Sequence, residues 1–153
     1  MKKLLALAAV TATCFAIPAY AAGDADCEAM WKKADVNNDG TLSDAESMSY
    51  AAAMRVHGYK APADGKITHV NFIDACKSDV YAPKAIDPGA PLKGSNSFTE
   101  GQAKDRALAY GYSSIASLVR DGDDIWRGSA MRDGKAVPIA IDYKGNVVPQ
   151  ALP

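Results

Sequence analysis

One stretch of this chain, DVNNDGTLSDAE from Asp35 to Glu46, sets oxygen-bearing side chains at alternate positions and ends on a glutamate. Asp35, Asn37 and Asp39 are two residues apart, and Gly40 follows them. Thr41 can offer its backbone carbonyl, Ser43 its hydroxyl or a bound water, and Glu46 both oxygens of one carboxylate. This is the spacing of a twelve-residue calcium loop, with ligands at positions 1, 3, 5, 7, 9 and 12 and glycine at the sharp turn at 6. Three carboxylates and an amide oxygen suit a hard cation such as Ca²⁺ better than a softer metal. Asp-Gly alone would decide nothing, because it is a common turn dipeptide and recurs at Asp64-Gly65, Asp121-Gly122 and Asp133-Gly134. Ahead of Asp121 the ligand positions hold Ser117 and Val119, and Asp133 lies in a hairpin signal, so neither site offers the same chemistry.

Elements must hold that loop. Cys27, Met30, Trp31 and Ala34 recur at helical spacing, and Asp24, Asp26 and Glu28 lie near the start, where acids complement the helix dipole. A second helix is expected from about Ser43 to His57, with Gly58 as its stop, and a third over VNFIDACK. The whole run MWKKADVNNDGTLSDAE closely resembles the EF-hand family, including its bacterial secreted members. The resemblance implies a helix–loop–helix unit with Asp35, Asn37, Asp39, Thr41, Ser43 and Glu46 as metal ligands. It also implies that Leu42 pairs with a second loop across a short β-bridge.

A partner loop is present in KAPADGKITHVNF, where Asp64-Gly65 aligns with the first loop's turn and Ile67 with Leu42. Its ligand positions hold Lys60, Pro62 and Asn71, which leave too little negative charge to hold calcium. We read it as a degenerate hand that pairs Ile67 with Leu42 and covers the core.

The N-terminus reads as a secretory signal peptide over residues 1–22: Lys2 and Lys3, the apolar LLALAAVTATCFAI, then Ala19-Tyr20-Ala21 before a cleavage point. Thr11, Thr13 and Pro18 interrupt the apolar run and make it a poor membrane anchor, and no lipidation pattern precedes Cys14. A periplasmic or secreted protein follows, with no membrane span after cleavage. Cleavage removes two lysines and no acid, so 17 basic against 18 acidic residues become 15 against 18, a net of −3. No charge excess points to nucleic acid. Of the three cysteines, Cys27 and Cys76 are left, the number that pairs in an oxidising compartment, the alternative being two buried free thiols. In an EF-hand pair the first and last helices pack side by side, so the resemblance places these two cysteines within bonding reach.

The EF-hand pair is expected over residues 23–79. Residues 80–96, with Pro83, Pro88, Pro91, Gly89 and Gly94, can form neither helix nor central strand and read as an extended linker. Beyond it the period changes. Thr99 and Gln102 make a capping box for a helix that stops at Gly111. Then SIASLV, DIWRGSAM, AVPIAIDY and NVV alternate as strands, with RDGK as a hairpin turn. The fold class is therefore α+β: an all-α pair, a Pro/Gly-rich linker, then one helix with an antiparallel meander. Residues 97–148 resemble a PepSY-type domain, through Thr99, Glu100 and Ala103 at the helix start, Gly111-Tyr112 at its end, IWRGSA, and Asp142 and Gly145 in the closing strand; 149–153 form a tail. The PepSY resemblance implies no catalytic residues and a role in binding a protein partner, a protease or another envelope protein, with Trp126 as a candidate contact if it is not core.

Catalysis finds little in the sequence. His57 and His69 fall in no H-E-x-x-H, and there is neither C-x-x-C nor G-x-S-x-G nor a phosphate loop. Two non-enzymatic readings follow: calcium as a structural staple of an interaction protein, or a calcium-responsive regulator or inhibitor of a periplasmic protease or other partner. A broken second hand and a clamp between helices favour the staple, because sensors open a Met-rich groove between two working hands.

Overall fold

The computed structural model describes residues 22–150. The signal peptide expected over 1–22 lies outside them save for its last residue, as does the end of the tail. The fold is α+β. Helix α1 (Asp24–Ala34), strand β1 (Thr41–Leu42), helix α2 (Asp44–Val56), strand β2 (Ile67–Thr68) and helix α3 (His69–Lys77) make the first unit. Helix α4 (Glu100–Ala109) and strands β3 (Val119–Arg120), β4 (Trp126–Arg132), β5 (Lys135–Ile141) and β6 (Val147–Pro149) make the second. Among the described residues no helix is long and apolar enough to cross a membrane.

In the first unit, β1 and β2 pair antiparallel with Leu42 opposite Ile67, and both side chains are fully buried. They lie against Phe72 and Met54, also buried, and each such side chain contributes about 1.5–3 kcal/mol on leaving water. Around Phe72 stand Trp31, Tyr50 and Tyr81, with ring centroids 4.8–5.3 Å from it. Tyr81 comes from the Pro/Gly-rich stretch, so that stretch contributes to the first core. Cys27 and Cys76 form a disulfide, with Cα atoms 5.8 Å apart, tying α1 to α3. Thr68 caps α3 by accepting from the Asn71 N–H at 3.3 Å, so a helix cap closes the loop where a bidentate glutamate would otherwise stand.

The second unit wraps one helix onto a four-stranded antiparallel sheet in the order β3-β4-β5-β6. The Thr99–Gln102 capping box forms as its spacing predicts. Asp133 and Gly134 both take positive φ, 51° and 73°, which the two-residue turn between β4 and β5 requires. SIASLV is where pattern and structure differ. Ser114 turns the chain at φ 45°, so the segment only brushes β4, through Ser113 on Met131 and the Ala116 N–H on Ser129 O, before pairing at Val119–Arg120.

That glancing path needs Gly128. A Cβ there would meet Leu118 Cδ2 at 2.7 Å and Ser117 O at 3.0 Å. Gly128→Val is therefore expected to destabilise the protein by roughly 1–3 kcal/mol through overpacking, read as a lower urea midpoint with an unchanged slope.

The two units meet. α2 packs on α4, and Arg55 holds Asp105 with two hydrogen bonds, Nε to Oδ2 at 2.9 Å and a second guanidinium nitrogen to Oδ1 at 2.6 Å. The pairing raises the Arg55 pKa, chiefly through the hydrogen bond to Asp105.

Candidate metal loop and its surroundings

The loop begins where α1 ends, at Asp35, and closes one turn into α2, at Glu46. Asp35 is only 4% exposed, so its carboxylate needs partners in place of water. It finds two: the Asp39 N–H reaches Oδ1 at 3.2 Å and the Gly40 N–H reaches Oδ2 at 3.1 Å. Asn37 Oδ1 accepts from the Asp39 N–H at 2.9 Å, and Asp39 Oδ1 accepts from the Thr41 N–H at 2.8 Å. These bonds wind the chain into a tight cup. Gly40, at φ +80°, makes the reversal that an L side chain would strain.

Glu46 reaches back across the cup. Its Oε1 accepts from the Val36 and Asn37 N–H groups at 3.0 and 3.2 Å. Its Oε2 is buried and has no hydrogen-bond partner among the described residues. A buried carboxylate oxygen left without a donor costs free energy unless something of positive charge meets it. This oxygen is the structural observation against which a cation can be tested, and the donor set fits. Asp35, Asn37, Asp39 and Glu46 carry hard oxygens, Thr41 a carbonyl and Ser43 a hydroxyl, with no sulfur or imidazole among them. Among the described residues no three His, Cys, Asp or Glu side chains converge into a ready-made cluster. Several of the loop's carboxylate oxygens are engaged with its own amides, and the Asn37 amide donates to Asp39 Oδ2 at 3.1 Å.

The second loop offers no such cup. Lys60, Pro62 and Asn71 fall where ligands would be, and the single carboxylate, Asp64, accepts from its own Lys66 N–H at 3.1 Å. Thr68 and Asn71 side chains bond each other at 2.7 Å. Next to it His69 lies 3.0 Å from Glu28 and stacks edge-on to Trp31, a structural contact.

In the second unit, Trp126 is held in place: its indole N–H donates to Phe98 O at 3.2 Å and its ring packs on the buried cluster of Ala103, Leu118 and Ile141. Asp142 and Gly145 have distinct physical roles. Asp142, fully buried, accepts from the Leu92, Lys144 and Asn146 N–H groups and from the Asn146 side-chain amide, at 2.8–3.0 Å. Asn146 in turn accepts from the Asp87 N–H at 3.1 Å and donates to Asp87 Oδ2 at 3.2 Å. The donated bond from Asn146, with the Lys84 and Lys144 charges nearby, holds the Asp87 carboxyl below its ordinary value. The Pro/Gly-rich stretch is thus stapled to the β5–β6 turn. Gly145, at φ +81°, lets Arg106 lie directly over it, since a Cβ would meet Arg106 Nε at 2.9 Å. These partners lie about 50 residues apart in sequence, and no local pattern marks them.

Compared with known proteins, the chain matches no family model, no curated protein and no solved structure.

Proposed function

We propose that this is a secreted or periplasmic protein that binds one calcium ion in the loop 35–46, chiefly as a structural staple, and presents its C-terminal helix-and-sheet unit to a protein partner. The observation carrying the metal reading is Glu46: one oxygen engaged by loop amides, the other buried and unpartnered, at the position where a calcium loop closes. The bound ion would supply the positive charge that Asp35, Asp39 and Glu46 lack together. The disulfide supports a staple over a switch, because it ties α1 to α3 and resists the opening by which sensors expose a groove. The compartment is supported by that same disulfide and by the signal-peptide pattern. No catalytic role is proposed.

The second reading, a calcium-responsive regulator of a protease or other envelope protein, draws on α2. That helix carries Glu46 in its first turn and, in its last, Arg55, which grips Asp105 on α4. A change at the loop has a rigid route to the second unit.

Calcium titration of the oxidised protein by calorimetry and by amide NMR separates the readings. A single site of extracellular type, with a dissociation constant of about 10⁻⁴–10⁻³ M, is the expected result. At ~100-fold excess of calcium over that constant, binding adds about 2.7 kcal/mol and raises Tm by roughly 5–11 °C. Shifts confined to residues 35–46 and the β1–β2 bridge support the staple, and shifts continuing through Asp105 into α4 support the regulator. No heat and no change in Tm at millimolar calcium would sink the metal reading.

A further inference from the structure

A cleft of about 690 Å³ lies where the two units meet, at the end of α2 remote from the calcium loop. Its volume is that of a small-molecule site. Ala53 and Val56 from α2, Ala109 from α4 and Ile86 from the Pro/Gly-rich stretch supply apolar wall, and Ile86 is exposed. Lys84, Arg106, Arg132 and Lys144 bring charge of one sign, and among the described residues no Asp or Glu lines the cleft. Of the acids close by, Asp105 is gripped by Arg55, and Asp87 is engaged by Asn146 and, at 3.6 Å, by Lys144. Among the described residues Lys84, Arg106 and Arg132 form no ion pair.

Arg106 is the most built of these. Its guanidinium carbon lies 3.5 Å from the centroid of the Phe98 ring, and Gly145 closes the space beside it. One N–H donates to Gln102 O at 2.9 Å, and its other N–H groups have no protein acceptor among the described residues. Arg132 is fixed by Tyr112, donating to the phenol oxygen at 3.2 Å with its guanidinium 4.9 Å from the ring centroid. Held beside aromatic rings, both guanidinium groups are positioned to meet a planar or tetrahedral anion with their remaining N–H groups. Tyr81 and Tyr110 also line the cleft, and their hydroxyls are buried and have no hydrogen-bond partner among the described residues.

We propose that this cleft binds a small organic anion, an apolar body bearing one carboxylate or phosphate head, with Arg106 and Arg132 on the head and the α2, α4 and Ile86 wall on the body. Focusing of positive potential between low-dielectric walls draws such a ligand in and rejects a cation of the same shape. The site is independent of the calcium loop, and the two stand or fall separately.

The test uses isotope-labelled protein expressed from the full sequence and titrated with decanoate, decyl phosphate and decanol. Saturable amide shifts at Lys84, Ile86, Arg106, Tyr110 and Gly145 are expected with at least one of the two anions, at affinity tenfold or more above that of decanol. Arg106→Gln is expected to weaken that anion at least tenfold, with decanol unchanged. Arg132→Gln, away from the Phe98 and Gly145 packing, carries the same expectation at about fivefold or more and decides the matter if Arg106→Gln does not fold. Equal binding of decanol and both anions, shifts scattered over the surface without saturation, or full affinity in the folded variants would each overturn the proposal.

Discussion

Glu46→Gln is expected to lower calcium affinity by at least a hundredfold while leaving the calcium-free protein as stable as before, or slightly more so. The asymmetry follows from what each oxygen does. The Val36 and Asn37 amides need only an acceptor at Oε1, and the glutamine carbonyl supplies one at the same place. The buried Oε2 becomes an amide nitrogen, which cannot ligate a hard cation, and one of three mutually repelling carboxylates becomes neutral. Calorimetry and the urea midpoint, each with and without calcium, separate the two effects. Ser43→Ala, at the position proposed to ligate directly or through water, should cost only a fewfold in affinity. Glu46→Gln binding within threefold of the parent would mean that the ion, if it binds, binds elsewhere.

The second large effect concerns the cross-link. Cys27 and Cys76 are separated by 49 residues, and closing a loop of that length removes enough unfolded-state entropy to contribute about 4 kcal/mol in the chain-entropy model. Replacing both cysteines by alanine is expected to lower Tm by roughly 8–16 °C. The first unit is small, and its core rests on a few large side chains, Leu42, Met54, Ile67 and Phe72, so the cross-link supplies a large part of what keeps α1 and α3 together. Saturating calcium should restore part of the loss in the double variant, because binding to the folded state alone adds its own increment. A loss below ~1 kcal/mol by urea melt would show that α1–α3 packing holds the unit without the bond.

The parts of this molecule that were legible in its sequence are those whose determinants are neighbours in the chain. The cup of residues 35–46 winds within twelve consecutive positions, Thr99 and Gln102 are one helical turn apart, and Asp133-Gly134 carries its turn in two residues. The α+β layout follows from the change of period after Gly111. Leu42 and Ile67 could be matched because each occupies the same place in a repeated loop pattern. The contacts that join the halves have no such signature. Nothing near Tyr81 says that its ring belongs with Tyr50 and Phe72, and nothing near Arg55 names Asp105 as its partner. A run of prolines and glycines tells what the backbone cannot form and leaves unsaid what it lies against. The shortness of β3 has a related reason: SIASLV alternates like a strand over its whole length, whereas Ser114 at positive φ turns the chain and only Val119–Arg120 pair. The four cationic side chains of the cleft come from four separate segments, the Pro/Gly-rich stretch, α4, β4 and the β5–β6 turn, and converge only in the fold.

The stapling of residues 87–96 to the β5–β6 turn determines where this protein can be cut in two. By composition the natural knife point is anywhere between Val80 and Asn96. Physically, a C-terminal piece starting at Phe98 would take from Asp142 the Leu92 N–H, from Asn146 the Asp87 N–H and carboxylate, and from Ile141 O the Asn96 amide, thinning the buried network of the β5–β6 turn. An N-terminal piece ending at Asp79 would lose Val80 and Tyr81 from its own core. Among the described residues Pro83, Ala85 and Ile86 form no hydrogen bond with either unit, and the Lys84 ammonium donates to Lys144 O at 3.0 Å. A cut after Pro83 therefore leaves Val80 and Tyr81 with the first core and the Asp87, Leu92 and Asn96 bonds with the second, inside a segment that looks loose over its whole length.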